Sequence, residues 1–312
     1  MKNIAVTCIQ LLRDLPGHRA PLDELGWTIA TPDIPGQHLE GDALVAGVEG
    51  CVGVVAGDDK FTAEVLDQLP DLRVISKWGI GIDGIDLDAA AERGIIVCNT
   101  PGMFDDEVAD VTMAYITMLT RQLAFIDRGI RSSTWPKPPG TSLRGLTLGI
   151  IGLGGIGRAV ARRGAVSGMN LIGSDPSEES SRLAADDGVD TVNIGQLLAD
   201  SDVISVNCPL NPATHHLLDA AAFNAMKPGV FVVNTGRGPV IETTAIVDAL
   251  TSGRIAGAAL DVLEEEPPAA DHPLKSFDNV IFGSHNGSNT LEASARTHGR
   301  AIANLIDALA AS

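Results

Sequence analysis

A chain of 312 residues is long enough for two domains of ordinary size. It carries 22 basic against 40 acidic side chains, a net charge of −18, and no basic stripe, which argues against nucleic acid and anionic membranes as partners. Hydrophobic residues make up 45% and aromatic ones 4%, so the cores must be aliphatic, as parallel sheets buried on both faces require.

In chain order, residues 4–9, 51–55, 74–75 and 95–98 read as strands, with helices between them such as 63–68 and 87–93. A long helix is expected over 105–121, and Trp135-Pro136-Lys137-Pro138-Pro139-Gly140 reads as a loop. From residue 147 the alternation resumes, with strands at 148–151, 171–173, 203–206, 230–234, 258–260 and 280–282. A last helix, 290–310, can fold back onto the first domain and make it discontinuous. This βα alternation predicts parallel sheets with helices on both faces. No apolar run approaches the roughly 18 residues of a membrane span. The four cysteines, Cys8, Cys51, Cys98 and Cys208, form no C-x-x-C pair and read as small buried hydrophobes in a reducing compartment. The N-terminal apolar run is broken by Gln10, Arg13 and Asp14 and makes a poor signal peptide, so the cytoplasm is the expected location.

The stretch from Thr147 to Asp175 carries the most information. A strand meets Gly152, Gly154 and Gly157 at G-x-G-x-x-G spacing, a helix follows over 158–165, and a second strand ends near Asp175. Gly152 permits the tight turn, Gly154 lets backbone approach a pyrophosphate, and Gly157 lets helix and strand pack closely. The helix N-terminus offers N–H groups and partial positive charge to phosphates. Asp175, about 20 residues past the glycines, can accept hydrogen bonds from an adenosine ribose. It would repel a 2′-phosphate, and Ser174, Pro176 and Ser177 supply no cation, which favours NAD over NADP.

Ligands of open α/β sheets bind beyond the carboxyl ends of strands. Three such ends carry chemistry: Arg237 after 230–234, Asp261 and Glu264-Glu265-Glu266 after 258–260, and His285 after 280–282. A guanidinium can grip a carboxylate bidentately. A carboxylate beside an imidazole orients it and keeps it protonated as an acid for carbonyl reduction. These residue types point to a reductase of 2-oxo acids.

The chain resembles the D-isomer-specific 2-hydroxyacid dehydrogenases, the family of phosphoglycerate dehydrogenase, glyoxylate and hydroxypyruvate reductases and D-lactate dehydrogenase. The resemblance runs through Lys77-Trp78-Gly79-Ile80-Gly81-Ile82-Asp83-Gly84-Ile85-Asp86, Cys98–Gly102, Val108-Ala109-Asp110, Gly152–Gly157, Asn234–Gly238, Ala258–Val262, Glu266-Pro267 and His285. The order Arg, Glu, His appears at intervals of 29 and 19 residues. The resemblance implies two doubly wound parallel-sheet domains with a cleft between them. One is a flavodoxin-like substrate-binding domain of residues 1–101 and 288–312, the other a Rossmann NAD-binding domain of residues 102–287. It implies a homodimer acting on a small anionic 2-oxo or 2-hydroxy acid, with no metal.

By the same resemblance, Arg237 binds the substrate carboxylate and carbonyl oxygen, His285 is the general acid/base and Glu266, the glutamate before Pro267, is its partner. Ile80 and Gly81 offer backbone N–H groups to the substrate carboxylate, and Lys77 and Asn99 join them as substrate-binding residues. Gly155 and Ile156 contact the pyrophosphate and Asp175 the ribose. Asn207, Thr235 and Asp261 lie near the nicotinamide. A corepressor-like NAD(H) sensor and a formate- or phosphite-type dehydrogenase are the alternatives within the family.

The departures bear on substrate. Val55-Ala56-Gly57-Asp58-Asp59 carries two acids where phosphoglycerate enzymes tend to have Arg, which weakens the case for a phosphorylated substrate. Lys77 stands at the mouth of the substrate loop and can meet a second anionic group. Around His285, Ser284 replaces a common Pro and Asn286-Gly287-Ser288 a common Ile-Gly-Gly, and Asn207 stands where many relatives have His.

Overall fold

Six helices begin at residues with side-chain oxygens that cap them. Thr62, Asp86, Ser177, Asn193, Asp219 and Thr290 each accept the N–H three positions on, satisfying a donor that the first helical turn leaves unpaired. The computed structural model describes residues 2–311. They divide into two compact units, residues 1–103 with 289–312 and residues 104–288. The dividing points fall one or two residues later than the sequence suggests.

The first unit contains β1 (Asn3–Val6), α1 (Ile9–His18), α2 (Ala20–Glu24), β2 (Thr28–Ala30), α3 (Gly41–Val48), β3 (Gly53–Ala56), α4 (Ala63–Asp67), β4 (Val74–Lys77), α5 (Leu87–Glu92) and β5 (Ile96–Cys98). The second contains α6 (Asp105–Thr120), α7 (Leu123–Arg131), β6 (Thr147–Ile151), α8 (Gly155–Val166), β7 (Asn170–Ser174), α9 (Glu178–Asp186), β8 (Asp190–Thr191), α10 (Ile194–Asp200), β9 (Val203–Val206), α11 (Ala220–Ala225), β10 (Val230–Asn234), α12 (Thr243–Thr251), β11 (Ile255–Leu260) and β12 (Val280–Phe282). The last helix, α13 (Leu291–Ala311), returns to the first unit.

The first sheet is fully parallel in the order β2-β1-β3-β4-β5, the flavodoxin-like arrangement. One face packs Val54, Ala56 and Ile75 against Leu44, Phe61 and Leu66. The other receives α13 so closely that a Cβ on Gly53 would lie 2.7 Å from Leu305 Cδ1. Ser76 Oγ donates to the Ala301 carbonyl at 2.8 Å on the same face.

The second sheet is also parallel, in the order β12-β11-β10-β9-β6-β7-β8. Strand direction of travel reverses between β6 and β9, which is where a doubly wound sheet opens its binding crevice. Alternate residues feed two cores. Ile204, Val206 and Val232 face one layer, Val203, Val233 and Leu148 the other. Both sheets are thus sandwiched by helices, as the βα alternation implies.

Several details differ from the sequence reading. The run 4–9 is strand only to Val6, because Cys8 is the N-cap of α1 and Ile9 already lies inside the helix. The helix after the glycines begins at Gly155 rather than 158. The edge strands β2 and β8 were not expected. They are three and two residues long, half-buried or exposed, and too short for an alternating pattern. Cys8, Cys51 and Cys208 are buried free thiols, but Cys98 is only half-buried.

The reversal point of the first sheet is sealed by a buried carboxylate. Asp59, 2% exposed, accepts from Thr7 Oγ1 at 2.5 Å, Leu39 N–H at 2.8 Å and Gly57 N–H at 3.0 Å. Burial raises its pKa, against the lowering effect of these three donors. Asp59→Ala strands two backbone N–H groups and a hydroxyl. It is expected to cost about 1–3 kcal/mol, measured by denaturant unfolding. A midpoint equal to wild type would remove Asp59 from the supports of this loop.

Candidate active site

Four loops at the carboxyl ends of β6, β9, β10 and β11, with the one after β12, build the site within the second unit. After β6 the chain turns at Gly152, whose φ of +91° favours glycine. A Cβ there would lie 2.7 Å from the Cys208 N, in the loop after β9. Gly157 is equally constrained, since its Cβ would stand 2.0 Å from the Gly152 carbonyl oxygen. A Cβ on Gly154 would meet nothing within 4 Å, which leaves the backbone at the start of α8 open to a ligand. Asp175, just past β7, accepts the Leu153 N–H at 2.7 Å and the Ser177 N–H at 2.8 Å. Each carboxylate oxygen keeps a further lone pair for a hydroxyl donor.

Asp105 of α6 presses against Gly155, where a Cβ would fall 2.0 Å from its Oδ2. Burial, then the neighbouring Asp106, raises the Asp105 pKa above the usual carboxylate value.

Asn207, after β9, donates through Nδ2 to Ser205 Oγ at 2.9 Å, and its Oδ1 accepts from Thr235 Oγ1 at 3.3 Å. Thr235 in turn meets Thr112 of α6, hydroxyl to hydroxyl, at 2.9 Å. These side chains form a largely buried polar line beside the glycine turn, with Asn207 at its half-buried end. Cys208 beside it is no nucleophile, because burial pushes its thiol up to about 11.

The Arg237 loop is shaped by Asn234, which is 1% exposed. Its Oδ1 accepts the Gly236 N–H at 3.0 Å and its Nδ2 donates to the Arg237 carbonyl at 2.9 Å. Gly238 then passes so close to the next loop that a Cβ would sit 1.9 Å from the Leu263 oxygen. This contact fixes the Arg237 loop against the segment that carries Glu266. Arg237 Nη1 donates to the Gly236 carbonyl at 3.0 Å.

His285 Nδ1 stands 2.8 Å from Glu266 Oε2. The other oxygen of Glu266 is held by the Leu263 N–H at 2.8 Å. His285 takes a left-handed φ of 56°, a conformation open to histidine at some cost. Its N–H donates to the Asp261 carbonyl at 2.7 Å. Asp261 is 4% exposed and accepts from Tyr115 Oη at 3.1 Å, Asn286 N–H at 3.4 Å and Gly287 N–H at 2.9 Å. Burial, then the Asp261 charge, raises the pKa of Tyr115, so the phenol stays protonated and donates.

Comparison with known proteins agrees with this architecture. Residues 113–287 match the model of the D-isomer specific 2-hydroxyacid dehydrogenase, NAD binding domain. A glyoxylate reductase of Thermofilum pendens is 40% identical over 257 residues, covering 80% of this chain and 76% of that one. The chain belongs to the D-isomer-specific 2-hydroxyacid dehydrogenases. It is therefore an NAD-dependent oxidoreductase. A D-3-phosphoglycerate dehydrogenase of Archaeoglobus fulgidus is 39% identical over 242 residues, 77% of this chain but only 46% of that protein. The D-lactate dehydrogenase of Aquifex aeolicus, solved with NAD and lactic acid, superposes with a TM-score of 0.86 at 28% identity, covering 99% of this chain and 95% of that one.

The glycine turn, the open backbone at Gly154 and the Asp175 carboxylate fit the dinucleotide of this dehydrogenase family. Among the described residues no cluster of His, Cys, Asp and Glu is arranged to hold a metal ion, and no helix is long and apolar enough to cross a membrane.

In the first unit, the expected substrate loop is held by its own neighbours. Asn99 Nδ2 donates to the Ile80 carbonyl at 2.6 Å, so the amide props the loop from behind. Thr100 Oγ1 accepts the Gly79 N–H at 3.0 Å. Lys77 is not a side chain at an open mouth. It is 7% exposed, with Nζ donating to the Trp78 carbonyl at 2.7 Å and paired with Asp58 Oδ1 at 3.0 Å.

Tyr115 goes unmarked in the sequence, and the partners of Asn234 and Glu264, which do stand in its motifs, are not legible there. Glu264 bonds His216 Nε2 at 2.7 Å and accepts the Thr243 N–H at 2.7 Å. Burial alone would raise its carboxyl, but these partners hold it below the usual range. Only their fold neighbours reveal these roles, although a lone Tyr in an aliphatic chain was a signal available from composition. Tyr115→Phe deletes one of the three donors to the Asp261 carboxylate. The expected loss is about 1 kcal/mol, read from thermal unfolding. A variant as stable as wild type would show that Asp261 is held by the two amide donors alone.

Proposed function

We propose that this chain interconverts a small 2-oxo acid and its D-2-hydroxy acid, with Arg237 gripping the carboxylate and carbonyl oxygen and the His285–Glu266 pair exchanging the proton. The observation that carries this reading is the 2.8 Å contact between His285 Nδ1 and Glu266 Oε2, with Glu266 itself anchored on the Leu263 N–H. A carboxylate so placed retains the Nδ1 proton and leaves Nε2 as the atom that gives or takes a proton. When bound, NADH supplies the hydride that reduces C2 of the oxo acid. His285 Nε2 delivers a proton to the carbonyl oxygen as Arg237 stabilises the charge that develops there. In the reverse direction the same nitrogen accepts the hydroxyl proton. Ile80 and Gly81 offer backbone N–H groups to the carboxylate. Gly152, Gly154, Gly155, Ile156 and Gly157 cradle the pyrophosphate, Asp175 takes the ribose, and Asn207, Thr235 and Asp261 border the nicotinamide.

The pairing of Lys77 with Asp58 supports a substrate without a second strong anion. Glyoxylate and hydroxypyruvate are the first candidates. Four free thiols support a reducing compartment, the cytoplasm.

The test is NADH oxidation across a panel of 2-oxo acids, unphosphorylated and phosphorylated. Turnover of small unphosphorylated acids is expected, abolished in His285→Ala and reduced at least about 100-fold in Arg237→Ala, with NADH binding retained. Glu266→Gln keeps the shape but removes the charge that orients the imidazole, so kcat is expected to fall with NADH binding retained. Turnover by Arg237→Ala at the wild-type rate would overturn the assignment. Reduction of NAD with formate or phosphite, and none of NADH oxidation, would place the chain with the other chemistry of the family.

An exposed apolar face of the second unit supports the proposal of a homodimer. Leu123, Phe125 and Ile130 of α7 are 43%, 43% and 45% exposed, and Trp135 in the following loop is 76% exposed. So much apolar surface on one amphipathic helix marks an association site. Light scattering is expected to give twice the 32.4 kDa chain mass, and Phe125→Asp with Trp135→Asp to give one. A wild-type monomer would refute the dimer.

A further inference from the structure

We infer that Trp78, His298 and Asp14 form a positioning relay that sets the Gly79–Gly81 loop for the substrate carboxylate. The inference rests on the reading above, in which Ile80 and Gly81 receive that carboxylate. Trp78 lies within the Lys77–Asp86 motif, while His298 and Asp14 lie outside every motif that carries the family resemblance.

The relay lies wholly in the first unit. Trp78 follows the last residue of β4 and immediately precedes the glycine loop. It is 6% exposed, and its Nε1–H donates to His298 Nδ1 at 2.9 Å. His298 sits on α13, fully buried, and its Nε2 lies 3.2 Å from Asp14 Oδ2 on α1. The remaining groups of the loop are tied down by Lys77 Nζ on the Trp78 carbonyl, Thr100 on Gly79 and Asn99 on the Ile80 carbonyl. Asn304, also on α13, donates to the Asn99 carbonyl at 2.9 Å. One helix therefore supports the loop from both sides, through His298 and through Asn304.

The chemistry of the partners fixes the proton positions. Indole Nε1–H is a donor only, so His298 Nδ1 must accept. The neutral ring then carries its proton on Nε2 and donates to Asp14. An imidazolium would set N–H against N–H and release Trp78. Burial lowers the His298 pKa, and the groups acting on it besides are Asp14 and His18, both from α1, with the His18 ring edge-on at 4.7 Å. The sign follows. A histidine whose folded pKa is depressed stabilises the fold fully above its ordinary value of 6.5, and that stabilisation is lost as pH falls below it.

The experiment compares wild type, Trp78→Phe, His298→Phe and His298→Asn in steady-state reduction of the preferred 2-oxo acid, with NADH affinity and thermal unfolding measured alongside. Trp78→Phe and His298→Phe each remove one half of the indole–imidazole bond and keep a ring. Their KM for the oxo acid is expected to rise about fivefold to tenfold, the factor of one lost neutral hydrogen bond. The kcat should stay within about twofold and NADH affinity should not change, since uniform substrate binding alone is weakened. Asn at 298 places an amide oxygen near the Nδ1 position and is expected to restore most of the KM. The wild-type KM should climb as pH falls below the imidazole range, and this climb should be absent in Trp78→Phe. Folded Trp78→Phe and His298→Phe with wild-type KM would overturn the relay. So would His298→Asn as impaired as His298→Phe, which is the mark of bulk packing damage. A wild-type enzyme inactive on every oxo acid would overturn the functional reading and the relay together, whereas active wild type with unmoved variants overturns the relay alone.

Discussion

The buried carboxylate of Asp261 is the fixed point of the candidate site. Its backbone N–H donates to the Asn234 carbonyl and its own carbonyl accepts the His285 N–H. Its side chain gathers Tyr115 from α6 and two amides of the loop that follows β12. Three strand ends and a helix are thereby tied to one residue. The cost of burying a carboxylate is offset only if its oxygens are hydrogen-bonded, and three donors reach the two oxygens of Asp261. Gly283 makes the arrangement possible, because a Cβ there would fall 1.9 Å from Asp261 Oδ1. The left-handed backbone of His285 is sustained by the same network, which over-determines a conformation that the residue alone would seldom adopt. Its imidazole therefore reaches Glu266 from a rigid base, which suits the proposed acid/base role.

This dependence explains what could be read in advance. The glycine fingerprint, Asp175 and the order Arg237, Glu266, His285 are local signals, since each residue's task is set by the strand or turn beside it. The strands of the second sheet's centre were legible because buried parallel strands are unbroken aliphatic runs. The edge strands β2 and β8 carry no such run and were invisible. Tyr115 was invisible for another reason, since its partner lies 146 positions away. Lys77 shows the limit of analogy: its position suggests a waiting cation, but Asp58, which a reading of the linear sequence counts only as lost positive charge, satisfies that cation directly. Glu264 and Glu266 are neighbours in sequence and differ entirely in use. Glu264 ties His216 to the start of α12, while Glu266 faces His285.

The net charge of −18 raises the question of how such a chain accepts anions. At physiological ionic strength exposed charges are screened beyond about 8 Å, so the local environment outweighs the sum. Many of the acids are already matched at short range: Asp106 and Asp110 share Arg163, Asp202 holds Lys227, and Asp127 holds Arg131. Where anions must bind, the positive ends are backbone dipoles and one guanidinium. The start of α8 presents N–H groups beside Gly154 with no Cβ in the way. At the Arg237 loop the Asn234 side chain takes up the turn's own N–H and C=O. A site built this way attracts a carboxylate only at contact distance and gains little from long-range steering. Geometry at contact distance, in the fixed shape of the Arg237 loop and of the loop that carries His285, is what such a site offers where net charge cannot.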